Sequence, residues 1–115
     1  MKLIVTATGD TLEAAVDPRF GRAARFILYD TKTGAWEAVD NTQNLNALQG
    51  AGIQAAQAVA RTGARAVITG DCGPKAFQTL HAAGIQVFAG AEGTVREAVA
   101  QFEAGALSLR RNADG

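Results

Sequence analysis

"AVITGDCGPKAFQTLHAAGIQVFA", residues 66–89, sets the architecture of the chain. The apolar run Ala66-Val67-Ile68 opens a strand to Thr69 that breaks at the turn Gly70-Asp71-Cys72-Gly73, and Pro74 follows at once. Proline suits the first helical position, where its missing N–H costs nothing, so Gly73 reads as an N-cap. The helix opened there carries Ala76, Phe77, Leu80 and Ala83 on its buried face and stops at Gly84. Ile85 to Ala89 is apolar again. Strand, helix and strand in this order make a right-handed crossover between parallel strands.

Working outward, Thr94-x-x-Glu97 is a capping box, opening a helix with Val95, Ala98, Val99 and Phe102 on one face. Upstream, Ile53, Ala56, Val59 and Ala60 recur at helical spacing from about Gly50, with Gly63 as the stop. Lys2 to Thr8 is a buried strand, and Phe26–Tyr29 and Ala35–Val39 form a hairpin around "DTKTG", where Gly34 supplies positive φ. The order β-β-β-α-β-α-β-α predicts an α/β fold: one mixed sheet covered by helices, the first strand central and one hairpin strand antiparallel. One domain is expected over 1–106, with a polar, frayed tail over 107–115.

Of the 115 residues, 48% are hydrophobic and 19% charged, which fits a soluble globular protein and argues against disorder. The 11 basic and 11 acidic residues cancel, so no strong overall field draws the chain to nucleic acid or an anionic membrane. "MKLIVTATGD" is too short for a signal-peptide core or a membrane span. The single cysteine excludes an internal disulfide framework and fits a reducing cytoplasm.

Ligands of such sheets gather beyond the carboxyl ends of the parallel strands. Those ends carry Gly9-Asp10, Gly70–Gly73 and Gly90, and the loops 10–24 and 40–52 can close over the same edge. Cys72 therefore has two readings: a thiol drawn toward thiolate by a helix N-terminus, or a small residue in a crowded turn. The loop with Arg19, Phe20, Gly21, Arg22 and Arg25 suits a large, weakly hydrated anion, or is an ordinary loop salt-bridged by Asp17. Gly50-Ala51-Gly52 leaves backbone N–H groups uncovered, or simply permits close packing. One cysteine, one histidine and one methionine do not make a conventional protein-ligated metal centre, and His81 points away from Cys72. Asp10, Asp17 and Asp71 would have to converge for a magnesium-dependent hydrolase, whereas aspartates after strands commonly form turns.

"DPRFGRAARF" (17–26), "VDNTQNLNALQGAGIQAAQ" (39–57) and "VITGDCGPKAFQTLHAAGIQVF" (67–88) together resemble the dinitrogenase iron–molybdenum cofactor biosynthesis family, in order, from about Lys2 to Phe102. The resemblance implies a ribonuclease-H-like fold with a five-stranded mixed sheet and helices on both faces. It also implies binding of a preformed sulfide-bridged metal cluster without catalysis. Within the family the chain is most similar to a small single-domain branch, which implies a non-covalently held molybdenum–copper sulfide cluster, with an iron–molybdenum–sulfur precursor as the alternative. A cluster that brings its own sulfides needs positive charge, backbone donors and apolar walls rather than protein thiolates. The implied site is Arg19, Phe20, Gly21 and Arg22 with Gly50, Ala51 and Gly52 and with Gly70, Asp71, Cys72 and Gly73; Cys72 can add one metal bond. Some relatives have a histidine where this chain has Gln49, a departure that favours non-covalent holding. The implied partner is a cluster-accepting protein or an ATPase, and the alternative role is that of a small adaptor.

Overall fold

β1 (Lys2–Ala7) is apolar on both faces and lies inside the sheet for that reason. Leu3, Val5 and Ala7 join one core cluster and Ile4 the other, all of them fully buried. In the computed structural model, which describes residues 1–41 and 50–111, the remaining strands are β2 (Arg25–Asp30), β3 (Trp36–Asp40), β4 (Ala66–Ile68), β5 (Gln86–Ala89) and β6 (Ser108–Arg110). The helices are α1 (Ala51–Ala60), α2 (Pro74–Ala82) and α3 (Val95–Glu103).

The sheet runs β3-β2-β1-β4-β5-β6. β1 pairs parallel to β4 and antiparallel to β2, and β4 pairs parallel to β5, so the expected mixed sheet with an antiparallel hairpin strand is present. Gly34, Gly63, Gly84 and Gly105 all adopt positive φ where a hairpin or helix has to turn. α1 and α2 cover one face, where Val59, Phe77 and Leu80 meet Ile4, Phe26 and Val67. α3 covers the other through Val95, Ala98 and Val99 against Leu3, Val5 and Ile68. Burying one such aliphatic side chain contributes about 1.5–3 kcal/mol.

The structure departs from these expectations at two points. The sheet has six strands instead of five, because Ser108–Arg110, read as part of a frayed tail, pairs antiparallel with β5. Its partner presents an open row of backbone donors and acceptors, which a strand satisfies whatever its side chains. Ala83, expected on the buried face of its helix, is exposed. It is the C-cap of α2, where the helix ends.

β1 leads into residues 8–24, a loop tied down by bridges Ala7↔Val16, Ala15↔Thr94 and Arg19↔Asp71. Buried Thr6 donates its hydroxyl to the Asp17 carbonyl (2.8 Å) and lies 2.9 Å from the Thr69 hydroxyl, fixing where the loop crosses the strand ends. Asn41 donates to the Ala23 carbonyl at 2.7 Å and holds the loop's far end.

Candidate functional site

Two helices begin at one cavity. α1 starts behind Gly50, whose φ of 73° needs a glycine, and α2 starts behind Gly73 with Pro74 in its first turn. Neither helix has a side-chain cap or an acidic residue in its first turn. α3, on the other face, has both: the Thr94 hydroxyl accepts the Glu97 N–H and the Glu97 carboxylate accepts the Thr94 N–H. Among the described residues no side chain accepts from the first-turn N–H groups of α1, or from those that follow Pro74 in α2, and both helix starts carry the positive end of the helix dipole.

Between these helix starts and the arginine loop lies an open cavity of about 670 Å³. Arg19, Phe20, Gly21 and Arg22 form one wall, Gly50 to Ile53 a second, and Asp71 with Gly73 to Ala76 a third. Lining cations are Arg19, Arg22 and Lys75, against Asp71 as the acidic residue. Added Cβ atoms at Gly50 and Gly73 would meet none of the described residues within 4 Å.

Other glycines serve close packing. A Cβ at Gly21 would lie 2.9 Å from the Gly52 Cα, and one at Gly52 would lie 3.2 Å from the Ala76 Cβ. A Cβ at Gly70 would sit 2.7 Å from the Pro18 Cα, so Gly70 belongs behind the wall and does not line the cavity. Phe20 lines the cavity but is 1% exposed; it stacks on Phe26 with ring centroids 5.5 Å apart and anchors the loop in the core.

Cys72 is also behind the wall, 1% exposed, and belongs to the core cluster of α1 and α2. Burial pushes its thiol up from 9.0 to about 11, although nearby Arg110 pulls the other way and Asp71 adds to the rise. The expected bias toward thiolate is thus reversed, because desolvation outweighs the charges beside the sulfur. Its amide donates to the Asp71 carboxylate at 2.9 Å.

Arg25 does not join the cationic wall. It pairs with Asp10 at 2.7 Å and Asp40 at 3.3 Å on the hairpin. Asp17 accepts the Arg19 amide at 3.1 Å, so Asp10, Asp17 and Asp71 do not converge. Among the described residues no group of three His, Cys, Asp or Glu side chains is arranged to hold a metal ion. Gly9-Asp10 and Gly90 lie outside the cavity lining. His81 is exposed and stacks on Phe77 at 5.6 Å. Gln49 and most of the loop before Gly50 lie outside the described residues. No described helix is long and apolar enough to cross a membrane.

Sequence reasoning missed Lys75, Ile53 and Arg110. Lys75 directly follows Gly73-Pro74, and a first-turn position faces whatever the helix start faces; that signal was available. Arg110 reaches the Cys72 carbonyl from a strand that was read as tail.

Comparison with known proteins places the chain in a family. The family profile described as dinitrogenase iron-molybdenum cofactor matches residues 1–105. The apo form of the orange protein from Desulfovibrio gigas superposes with a TM-score of 0.94 at 48% identity, covering 96% of this chain and 93% of that one. The NMR structure of a NifB-like protein from Thermotoga gives a TM-score of 0.84 at 34% identity over 99% of this chain and 98% of that one. An uncharacterized protein of Methanocaldococcus jannaschii is 30% identical over 95 residues, 80% of each chain.

Proposed function

The chain belongs to the dinitrogenase iron-molybdenum cofactor family, and from that premise we propose that it binds and carries a preformed, anionic metal–sulfide cluster as cargo. The observation that carries this reading is the pair of uncapped, acid-free helix N-termini opening on one cavity with Arg19, Arg22 and Lys75. A sulfide-bridged cluster is large, soft and negative, and needs many weak donors in preference to a few strong ligands. N–H groups at the starts of α1 and α2 supply such donors, and the three cations offset the charge. Cys72 contributes through its turn, since its sulfur is buried and protonated.

In this proposal the cargo is a molybdenum–copper sulfide cluster, held without covalent bonds, with an iron–molybdenum–sulfur precursor as the other candidate. The high likeness to a protein known in an apo form supports a ligand-taking role. The role is non-enzymatic and cytoplasmic, and delivery goes to a cluster-accepting protein or an ATPase. A ribonuclease-H-like arrangement belongs to the same reading, supported by the run β3-β2-β1-β4-β5 with β2 antiparallel.

The deciding experiment is anaerobic titration of the metal-free protein with tetrathiomolybdate and copper(I), then desalting, visible spectroscopy and metal analysis. A chromophore with stoichiometric molybdenum and copper that elutes with the protein is expected. Metals that leave the column separately from the protein overturn the molybdenum–copper assignment.

A further inference from the structure

β6 is exposed at Ser108 and Leu109, yet the Arg110 side chain is only 11% exposed. It leaves the sheet edge and crosses the start of α2. The guanidinium carbon sits 5.2 Å from the centre of the Phe77 ring, Nη1 donates to the Cys72 carbonyl, and the same nitrogen lies 3.9 Å from the Asp71 carboxylate. One side chain thus touches Asp71 and Cys72 of the β4–α2 connection and Phe77 of α2.

That connection is also the seam of the cavity. The Asp71 carbonyl accepts the Phe20 N–H at 3.0 Å, and Arg19 bridges to Asp71, so the arginine wall hangs on the same two peptide units. On the other side Gly73 accepts the Phe77 N–H at 2.9 Å and begins α2. The Arg110–Asp71 pair is weak by itself, because Asp71 is 84% exposed and well hydrated. A charge-assisted bond to a carbonyl and a cation held over an aromatic face, both away from water, are worth more.

We infer that Arg110 is a positioning residue for the cavity: it fixes the Asp71–Gly73 turn and, through Asp71, the wall that carries Arg19 and Phe20. The inference takes the cavity from the proposed function, but its first test does not need a cluster. Amide hydrogen exchange of the metal-free protein is compared for wild type, Arg110→Gln and Arg110→Lys. In Arg110→Gln the Phe20 amide is expected to exchange about tenfold faster, since a bond to a charged group has been lost from the turn that holds it. The amides of β1 and α3 should keep their protection. Arg110→Lys retains the charge without the planar fork and should fall between the two, which keeps the test open if Arg110→Gln fails to fold. Unchanged Phe20 exchange in a folded variant, or a rise of the same size in β1 and α3, overturns the inference.

The second arm loads tetrathiomolybdate and copper(I) and follows visible circular dichroism and the loss of chromophore. Arg110→Gln is expected to change the dichroic signature of the bound cluster and release it several-fold faster. If the wild type retains no cluster, the cargo proposal fails while the exchange result still judges Arg110. If the wild type retains a cluster and Arg110→Gln binds it with the same signature and lifetime, the positioning role is wrong and the cargo proposal survives.

Discussion

Burial pushes the Cys72 thiol up from 9.0 to about 11, and two consequences follow at this residue. Its folded-state pKa lies above 9.0, so the stability it contributes is full below that value and is lost as pH rises toward about 11. The native thiol should therefore react with iodoacetamide about a hundredfold more slowly than in the denatured chain at pH 7, on thiolate fraction alone. Equal rates in the two states would remove this account. Among the glycines, Gly70→Ala forces a methyl into Pro18 backbone that cannot step aside, and a loss of about 1–3 kcal/mol in chemical denaturation is expected. Gly73→Ala enters open space at negative φ and should stay within about 0.5 kcal/mol of wild type. The letters at 70–73 marked a glycine-rich turn. They did not reveal which glycine faces backbone and which faces the cavity, because that depends on Pro18, a residue from another segment.

Helix starts carry the division of labour among the elements. Thr94→Ala removes the α3 cap and should cost about 1 kcal/mol, read as a shift in denaturation midpoint. The Thr94 backbone and hydroxyl hold the Glu97 carboxyl below its usual range, so this support is present above the ordinary glutamate pKa and fades as pH falls through the depressed value. α2 answers differently. Gly73→Asp gives that helix the acidic cap it lacks and should leave stability equal or a few tenths of a kcal/mol higher. The same change puts a carboxylate where the proposed cluster's charge would sit, and chromophore retention should fall sharply; a variant that keeps its chromophore argues against anion binding at this helix start. Capping box, Pro74 and the positive-φ glycines made the helices legible from local chemistry. β6 was not legible, since Ser108-Leu109-Arg110 has neither alternation nor β-branched residues and owes its state to the open edge of β5.

Across the whole molecule the formal charge is zero, while Arg19, Arg22 and Lys75 gather at one cavity. Composition conceals such segregation, and the candidate site was legible only where its residues lie close in sequence. Arg19 and Arg22 were legible; Arg25, three residues further, was captured by Asp10 and Asp40 when β2 paired. With no net field to help, cluster capture should depend on this local patch. Replacing Arg19 and Arg22 together by glutamine should weaken chromophore retention about tenfold or more, and raising salt from about 0.05 to 0.5 M should slow tetrathiomolybdate uptake by the wild type far more than by the double variant. Equal salt dependence in the two proteins would sink the electrostatic mechanism. Order along the chain adds one more consequence. Residues 19–22, 50–53 and 71–76 all precede Arg110, the side chain that reaches back to Cys72. Synthesis therefore makes every wall of the cavity before the side chain inferred to brace it.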